Sequence, residues 1–294
     1  DHQDADGVWG GIQPPWIYSL MALHSGGYDQ SNPVVEKGLN ALEDPRWVYE
    51  RGGGTYVHAS VSPVWDTVLT LLAIQDCEKD MEHAAAVERA LDWVLNQEVC
   101  TAGDWAQKMP DIAPGGWAFE YENASYPDVD DTAVALIVLA RYRDDPKWQS
   151  KGIGGAIGRG VDWMLAMQSS NGGWAAFDKD NDRVILTKVP FCDFGEALDP
   201  PSVDVTAHVL EALGILGYTK QHNAVRCGVD FIMREQEEEG PWFGRWGVNF
   251  IYGTAAVLPA LKAVGEDMRV ESVERAVNWT RSCQNADGGW GEGC

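Results

Sequence analysis

The 294-residue chain is 45% hydrophobic and 23% charged, the composition of a folded globular protein, and this excludes disordered and fibrous classes. Its 45 Asp and Glu against 22 Lys and Arg give a formal net charge of −23, which argues against nucleic acid as a partner because phosphate is repelled. The longest apolar runs, such as 132–140, fall short of the about 18 residues that a membrane-spanning helix needs. Six scattered cysteines without a CxxC pair favour a reducing compartment.

Tryptophan, present 14 times, marks an internal repeat. Each copy combines a helix-forming segment, a Gln and a terminal Gly-x-Trp. The copies are 89–105, 159–174, 227–242 and 275–290, with a half-copy at 3–9. We predict that each copy is a helix followed by a turn, in which the Gln bonds backbone groups at a neighbouring helix end and the Trp covers the junction.

Further helical periodicity lies between the copies, and β-type alternation is scarce. The additional predicted helices are 64–75, 131–143, 203–216 and 252–263. The fold class is therefore all-α, built from paired helices. Because the chain opens halfway through a repeat and stops four residues after the last repeat Trp, we interpret it as an internal fragment of a longer protein.

Three carboxylates stand within four residues, at Asp128, Asp130 and Asp131, directly before the apolar run 134–140. One interpretation is helix capping, since the helix dipole favours acids in the first turn by about 0.3–1 kcal/mol. The other is a buried acid cluster, in which desolvation and mutual repulsion raise carboxyl pKa values by up to about 3–5 units. A buried carboxyl that stays protonated is a proton donor.

Together, these acids and repeats resemble the squalene–hopene cyclases, the bacterial class II triterpene cyclases, along essentially the whole chain. The motifs that carry the resemblance are Asp128-Val-Asp-Asp-Thr-Ala133, Trp9-Gly-Gly-Ile-Gln-Pro-Pro-Trp16, Ser62-Pro-Val-Trp-Asp66, Gly115-Gly-Trp-Ala-Phe119, Pro190-Phe-Cys-Asp-Phe-Gly-Glu196, Asp199-Pro-Pro-Ser-Val-Asp-Val-Thr-Ala-His208 and Trp242-Phe-Gly-Arg-Trp-Gly-Val-Asn249. The acidic motif alone also occurs in class II diterpene cyclases.

The resemblance implies an α/α barrel (α6–α6 toroid), incomplete here because the chain is a fragment. Residues 1–48 would be the tail of a first barrel domain and residues 49–294 a partial catalytic barrel domain. The implied activity is that of an isomerase that protonates squalene and cyclises it to hopene and hopanol through carbocations. It implies no cofactor and no metal, which agrees with the lack of metal-ligand spacing in the sequence.

Five polar residues receive roles from the resemblance. Asp130 would protonate the terminal alkene, while Asp128 and Asp131 would flank it and balance the first cation. His208 would hydrogen-bond Asp130, with Asp204 one helical turn earlier orienting the site. Taken alone, His208 would more commonly be an ordinary core histidine, so its role depends on the whole motif.

The remaining implied residues form the substrate cavity and its exits. Tyr252 would belong to the water chain that reprotonates the acid. Aromatic faces attract cations without capturing them, and those that match the cavity lining are Trp65, Phe119, Phe177 and Trp246, for which core packing is the competing interpretation. Phe191, Cys192 and Phe194 match the channel constriction, and Gln13 with Ile12 matches the end that positions the terminating water.

Other function classes stay open at this point. They are a class II diterpene or other triterpene cyclase, an α/α-toroid inverting glycosidase and a non-catalytic helical-repeat scaffold. The partners implied by the resemblance are squalene, a membrane surface contacted through segments outside this chain, and a second copy in a homodimer. The implied location is the cytoplasmic side of the bacterial inner membrane, as a peripheral, monotopic protein.

Overall fold

A computed structural model describes residues 3–77, 83–120, 126–183, 185, 188 and 198–293. Helices dominate this part of the chain. They are α1 (Gln13–Ser25), α2 (Pro33–Asn40), α3 (Pro63–Cys77), α4 (Ala84–Asn96), α5 (Val129–Ala140), α6 (Pro146–Ser150), α7 (Ile153–Ala166), α8 (Val203–Ile215), α9 (Asn223–Arg234), α10 (Asn249–Ala263) and α11 (Glu271–Ser282). In this described part, no helix combines the length and apolar character needed to cross a membrane.

The helices form two layers. The inner layer is the row α3, α5, α8, α10, and each of these helices packs against an outer partner, which is α4, α7, α9 or α11. All twelve residues of α5 are buried, because its sequence is apolar on every side after Thr132 and neighbours cover it all round. The outer helix α9 instead buries one stripe that includes Ala224, Val225 and Gly228. The predicted all-α fold of paired helices is confirmed.

The predicted role of the repeat Gln is confirmed in three of the repeats. Gln168 Nε2 donates to Gly172 O at 2.8 Å and to Ala224 O, near the start of α9, at 2.9 Å. Gln236 and Gln3 make the same pair of bonds to their own turns and to the starts of α11 and α2. Trp174 Nε1 donates to a carbonyl near the end of the preceding helix, at 2.7 Å. These three repeats therefore tie two helices together through backbone carbonyls, whereas Gln284, among the described residues, bonds only Gly288 O of its own turn.

One repeat assignment is wrong. Trp117, and not Trp105, stands in the repeat position, because Trp117 Nε1 donates to Val94 O at 2.7 Å. Trp105 lies on a 3₁₀ turn (Asp104–Gln107) inserted between α4 and Gly115-Gly116, and its ring meets Trp163 edge-on at 6.0 Å. The inserted turn carries its own Gly-x-Trp, at Gly103 to Trp105, so the sequence pattern indicated Trp105 in place of Trp117.

A β-hairpin, which the sequence analysis did not predict, joins α2 to α3. Strands β1 (Val48–Arg51) and β2 (Gly54–Val57) pair antiparallel across Gly52 and Gly53, which have positive φ. Two glycines between short segments are a hairpin signal, but the flanking residues do not alternate apolar and polar, so the pattern was weak. The part of the chain before the hairpin has a small apolar cluster of its own, which includes Trp16 and Trp47 and is separate from the main core. The division into domains at residue 48 stays a prediction.

Candidate active site

The first turn of α5 carries the acidic motif, and Asp128 is its N-cap. The Asp128 side chain accepts a hydrogen bond from Asp131 N at 2.8 Å. The backbone is held on both sides, because Asp128 N donates to Trp117 O and Val129 N donates to Ala176 O at 2.8 Å. The capping interpretation is therefore confirmed for Asp128.

The same acids are also buried. Asp128 and Asp131 are 3% and 2% exposed, and within the described part of the chain Asp128 Oδ2 and Asp131 Oδ1 have no hydrogen-bond partner. Burial raises the pKa of Asp128 to about 7. Burial, reinforced by the charge of Asp128, raises the pKa of Asp131 well above its ordinary value. The cluster therefore holds a proton near neutral pH, and both interpretations of the motif apply at once.

Asp130 faces His208, which lies on the neighbouring inner helix α8. His208 Nδ1 and Asp130 Oδ1 are 2.6 Å apart. Burial alone would lower the pKa of His208, but the charge of Asp130 and the hydrogen bond to it raise that pKa above its ordinary value. An imidazolium in this position opposes the repulsion among the carboxylates.

Asp204, one helical turn before His208, is fully buried and fully hydrogen-bonded. Its Oδ1 accepts from Ser202 Oγ at 2.5 Å and from Val205 N at 3.1 Å. Its Oδ2 accepts from Trp246 N at 2.7 Å. Asp204 therefore acts on His208 through its charge, while its hydrogen bonds organise the surrounding backbone.

Two rings flank His208. The Trp65 and Tyr252 ring centroids lie 6.3 Å and 6.1 Å from that of the imidazole. Burial, followed by the charges of Asp130 and Asp204, raises the pKa of Tyr252, so its phenol stays neutral. Gly247 packs directly on this ring, where any Cβ would overlap it.

The other predicted aromatic residues lie close to the motif or outside the described residues. Phe177 directly follows Ala176, whose carbonyl binds the start of α5, and its ring meets Trp246 edge-on at 6.1 Å. The two rings are 38% and 51% exposed. Phe119 is half-buried, two residues after Trp117. The constriction residues predicted at Phe191, Cys192 and Phe194 lie outside the described residues.

Among the described residues, no hydrogen bond or ring contact links Gln13 or Ile12 directly to the acids. Gln13 Nε2 donates to His58 O at 2.9 Å, just after β2, and Ile12 pairs with Ser60. Their predicted role at the far end of a cavity stays a prediction.

Within the described part of the chain, no group of three or more His, Cys, Asp and Glu is arranged to hold a metal ion.

Sequence analysis missed the threonines that put these groups in register. Thr132, Thr206 and Thr254 each accept, through Oγ1, a 2.9 Å hydrogen bond from the backbone N–H of a repeat Trp. Asp130, Asp204 and Tyr252 each lie two residues before one of them. The recurring Thr-Ala after each position was the available signal. The repeat itself therefore presents one side chain from each of three inner helices to the same region.

Solved structures with low sequence identity share this fold. The ent-copalyl diphosphate synthase from Streptomyces platensis aligns with a TM-score of 0.55 at 22% identity, over 90% of this chain and 41% of that one. A variant of the type II terpene cyclase MstE from Scytonema, in complex with geranylgeranyl dihydroxybenzoate, aligns with a TM-score of 0.53 at 20% identity, over 94% and 67%.

Curated relatives are closer in sequence. The chain is 47% identical to a squalene–hopene cyclase from Alicyclobacillus acidocaldarius over 90% of its length, and 43% identical to one from Bradyrhizobium diazoefficiens over 98%. It spans 41% and 43% of these relatives' lengths. The family model for the squalene-hopene cyclase C-terminal domain matches residues 61–294, and that for the N-terminal domain matches residues 1–51. The chain belongs to the squalene–hopene cyclase family.

Proposed function

We propose that these residues carry the initiating acid of a squalene–hopene cyclase, an isomerase that acts on squalene. The observation that carries the proposal is the Asp130–His208 hydrogen bond beside two buried carboxyl oxygens that have no hydrogen-bond donor in the described chain. A buried acid next to an imidazolium is a stronger donor than the same acid next to a second carboxylate alone.

Asp130 is the most exposed of the three acids, at 8%, and so is the one that can reach a substrate. In the donating state His208 is an imidazolium that donates from Nδ1 to Asp130 Oδ1, and the proton that the three clustered acids share lies on Asp130 Oδ2. This proton adds to a terminal alkene carbon, and the alkene electron pair forms the new C–H bond and leaves a tertiary cation. Successive alkenes then close rings, until proton loss yields hopene, or water adds to the last cation and loses a proton to yield hopanol. Proton loss conserves the atoms of squalene, so that reaction is an isomerisation.

The aromatic residues around the acid suit the cation that follows. Trp65, Phe177 and Trp246 present π faces, each worth about 0.5–2 kcal/mol to a nearby cation, and none is a strong nucleophile. Burial keeps the Tyr252 phenol neutral, so it can pass a proton without trapping the cation as a phenolate would.

The test uses the full-length protein, meaning a chain of the relatives' length that contains these 294 residues. It is incubated separately with squalene in detergent micelles, with geranylgeranyl diphosphate and with a polysaccharide. We expect polycyclic hydrocarbon from squalene only, at a rate that EDTA does not change. Turnover of the diphosphate instead would assign a diterpene cyclase, and new reducing ends would assign a glycosidase.

Two further expectations belong to this proposal. Because squalene is a lipid, we propose that the full-length protein docks on the cytoplasmic side of a bacterial inner membrane, as a monotopic homodimer. Flotation with phospholipid vesicles tests the docking, and light scattering in detergent tests the dimer. Recovery of all of the protein in the vesicle-free fraction would contradict the first expectation, and a monomeric mass would contradict the second.

A further inference from the structure

Asp199, to which the proposed mechanism gives no role, is a buried carboxylate aimed at backbone. Its Oδ2 accepts two hydrogen bonds, from Phe177 N at 2.6 Å and from Asp178 N at 2.8 Å. Asp199 N in turn donates to Asn181 O at 3.0 Å, so a second hydrogen bond joins Asp199 to the segment that follows Phe177. A carboxylate that binds two successive N–H groups fixes the direction in which the chain leaves that point.

Asp204 makes a similar contact five residues later. Its Oδ2 accepts from Trp246 N at 2.7 Å. The segment 199–204 therefore holds the backbone of both members of the Phe177–Trp246 pair. Asp199 accepts from Phe177 N, and Asp204 accepts from Trp246 N. Pro200 and Pro201 stand between the two aspartates and restrict the segment, since proline fixes φ.

A second link strengthens the arrangement from the other side. Arg245, which precedes Trp246, donates from Nη2 to Leu198 O at 3.2 Å, and its guanidinium lies 6.0 Å from the Trp246 ring centroid. Both ends of the segment 198–204 are therefore hydrogen-bonded to the loop that carries Arg245 and Trp246. Both rings of the pair are partly exposed, so neighbouring side chains do not by themselves hold them in place.

We propose that Asp199 is a positioning residue that sets product specificity, by holding the Phe177 ring edge-on to Trp246 where a ring-closure cation forms. This inference rests on the proposed function. Asp199 does not touch the substrate; it acts through the backbone N–H groups of Phe177 and Asp178.

The physical consequence concerns where cyclisation stops. An aromatic face stabilises a cation only while the ring lies within about 6 Å of it, and a misplacement of about 1 Å in a reacting geometry can cost about 100-fold in rate. If the Phe177 ring drifts, the intermediate cation loses its partner before the next alkene closes. Proton loss then competes, and the product has fewer rings.

The experiment compares Asp199→Ala with Asp199→Asn in the full-length protein, and scores the ratio of fully cyclised product to products with fewer rings. Asp182→Ala, an exposed aspartate of the same loop, is the matched control. We expect Asp199→Ala to lower the ratio about 10-fold, in the same direction as Phe177→Ala. Asp199→Asn should restore it to within about 3-fold, because an amide oxygen still accepts from both N–H groups.

A double-variant cycle separates positioning from general loosening of the fold. In the Phe177→Ala background, Asp199→Ala should change the ratio no further, since the ring it positions is gone. If Asp199→Ala fails to fold, Asp199→Ser enters the same cycle, because a shorter hydroxyl reaches the N–H groups less well.

Three outcomes overturn the inference: an unchanged ratio in Asp199→Ala or Asp199→Ser, effects that add in the cycle, or an Asp199→Asn variant as impaired as Asp199→Ala. Failure of the proposed function is distinguishable, because then the unmodified protein yields no cyclised product from squalene.

Discussion

The first turns of α5 and α8 occupy equivalent places in the repeat and differ in two side chains. In α5 the order is Asp128-Val-Asp130-Asp131-Thr132; in α8 it is Ser202-Val-Asp204-Val-Thr206. Both threonines accept from a repeat Trp at 2.9 Å, so the backbones are held alike. In α8 every carboxylate oxygen of Asp204 is satisfied, whereas α5 leaves two carboxyl oxygens buried without a donor in the described chain.

The difference fits the two roles that we propose, in which α8 supports the fold and α5 supplies the acid. Ser202 donates to Asp204 Oδ1, while Asp128, in the equivalent place, brings a second carboxyl whose charge raises the pKa of Asp131. Buried carboxyls without donors hold protons, and proton donation is the function proposed for α5. We expect α5 to sacrifice stability for acidity and α8 to contribute stability and orientation.

The largest effect should come from Asp130→Asn. An amide keeps the shape of the side chain but cannot donate an acidic proton, so we expect the rate of squalene cyclisation to fall at least about 10³-fold. The thermal midpoint should change by no more than about 3 °C. Asp230→Asn, at an exposed position on α9, is the control. Turnover above a few per cent in Asp130→Asn would show that another group is the acid.

Asp204→Ala should break the support. It leaves Ser202 Oγ, Val205 N and Trp246 N without their acceptor, so we expect a loss of about 2–4 kcal/mol in the free energy of unfolding. Cyclisation should also slow about 10–100-fold, since Trp246 loses its anchor. Denaturant titration and product extraction measure the two effects. A stability equal to that of the unmodified protein would contradict the role assigned to α8.

Giving α5 the side chains of α8, as Asp128→Ser with Asp131→Val, should have the opposite effect on stability. The new hydroxyl can donate to Asp130 as Ser202 Oγ donates to Asp204, and two buried carboxyl oxygens without donors are removed. The free energy of unfolding should therefore rise by about 1–4 kcal/mol at pH 7. Cyclisation should fall at least about 10-fold. A destabilised double variant would show that these acids are satisfied by groups that the hydrogen-bond pattern does not reveal.

The pH dependence of stability should sharpen the same comparison. Burial raises the pKa of Asp128 from 3.8 when unfolded to about 7 when folded, and raises that of Asp131 in the same direction. A raised folded pKa means that the folded state binds more protons, so its contribution to stability is full below about pH 4 and is lost as the pH rises through 7. Thermal midpoints of the unmodified protein and the double variant, measured from pH 4 to 8, should diverge as the pH rises. If the two thermal midpoints changed in parallel with pH, Asp128 and Asp131 would be solvent-exposed and not buried.

The smallest effects should come from the shared threonines. Thr132→Val and Thr206→Val each remove the acceptor of a buried Trp N–H, at a cost of about 1–2 kcal/mol. Thr132→Val should cost slightly more, because its hydroxyl also donates to Asp128 O at 2.6 Å. Chemical denaturation of the two variants measures the loss in the free energy of unfolding. A negligible loss in either variant would show that its threonine does not stabilise the repeat.

Several features follow from the amino-acid sequence by itself. Helical periodicity predicted α3, α5, α8 and α10, because local propensity and apolar spacing are properties of consecutive residues. The structural roles of the repeat Gln and Trp could be predicted because the same pattern recurs along the chain. The acidic motif was conspicuous because three carboxylates before an apolar helix are costly unless they serve chemistry.

Tertiary structure decided the rest. Residue pattern and spacing alone do not place Asp130 against His208, 78 residues away, a contact that only the family resemblance implied. They also do not show that Asp204 accepts a hydrogen bond from Trp246 N. The pattern also misplaced one repeat at Trp105, because the inserted turn carries its own Gly-x-Trp. Which carboxyl oxygens find a donor depends on which helix lies alongside, and burial, the main cause of the raised pKa values, exists only when the inner helices have assembled.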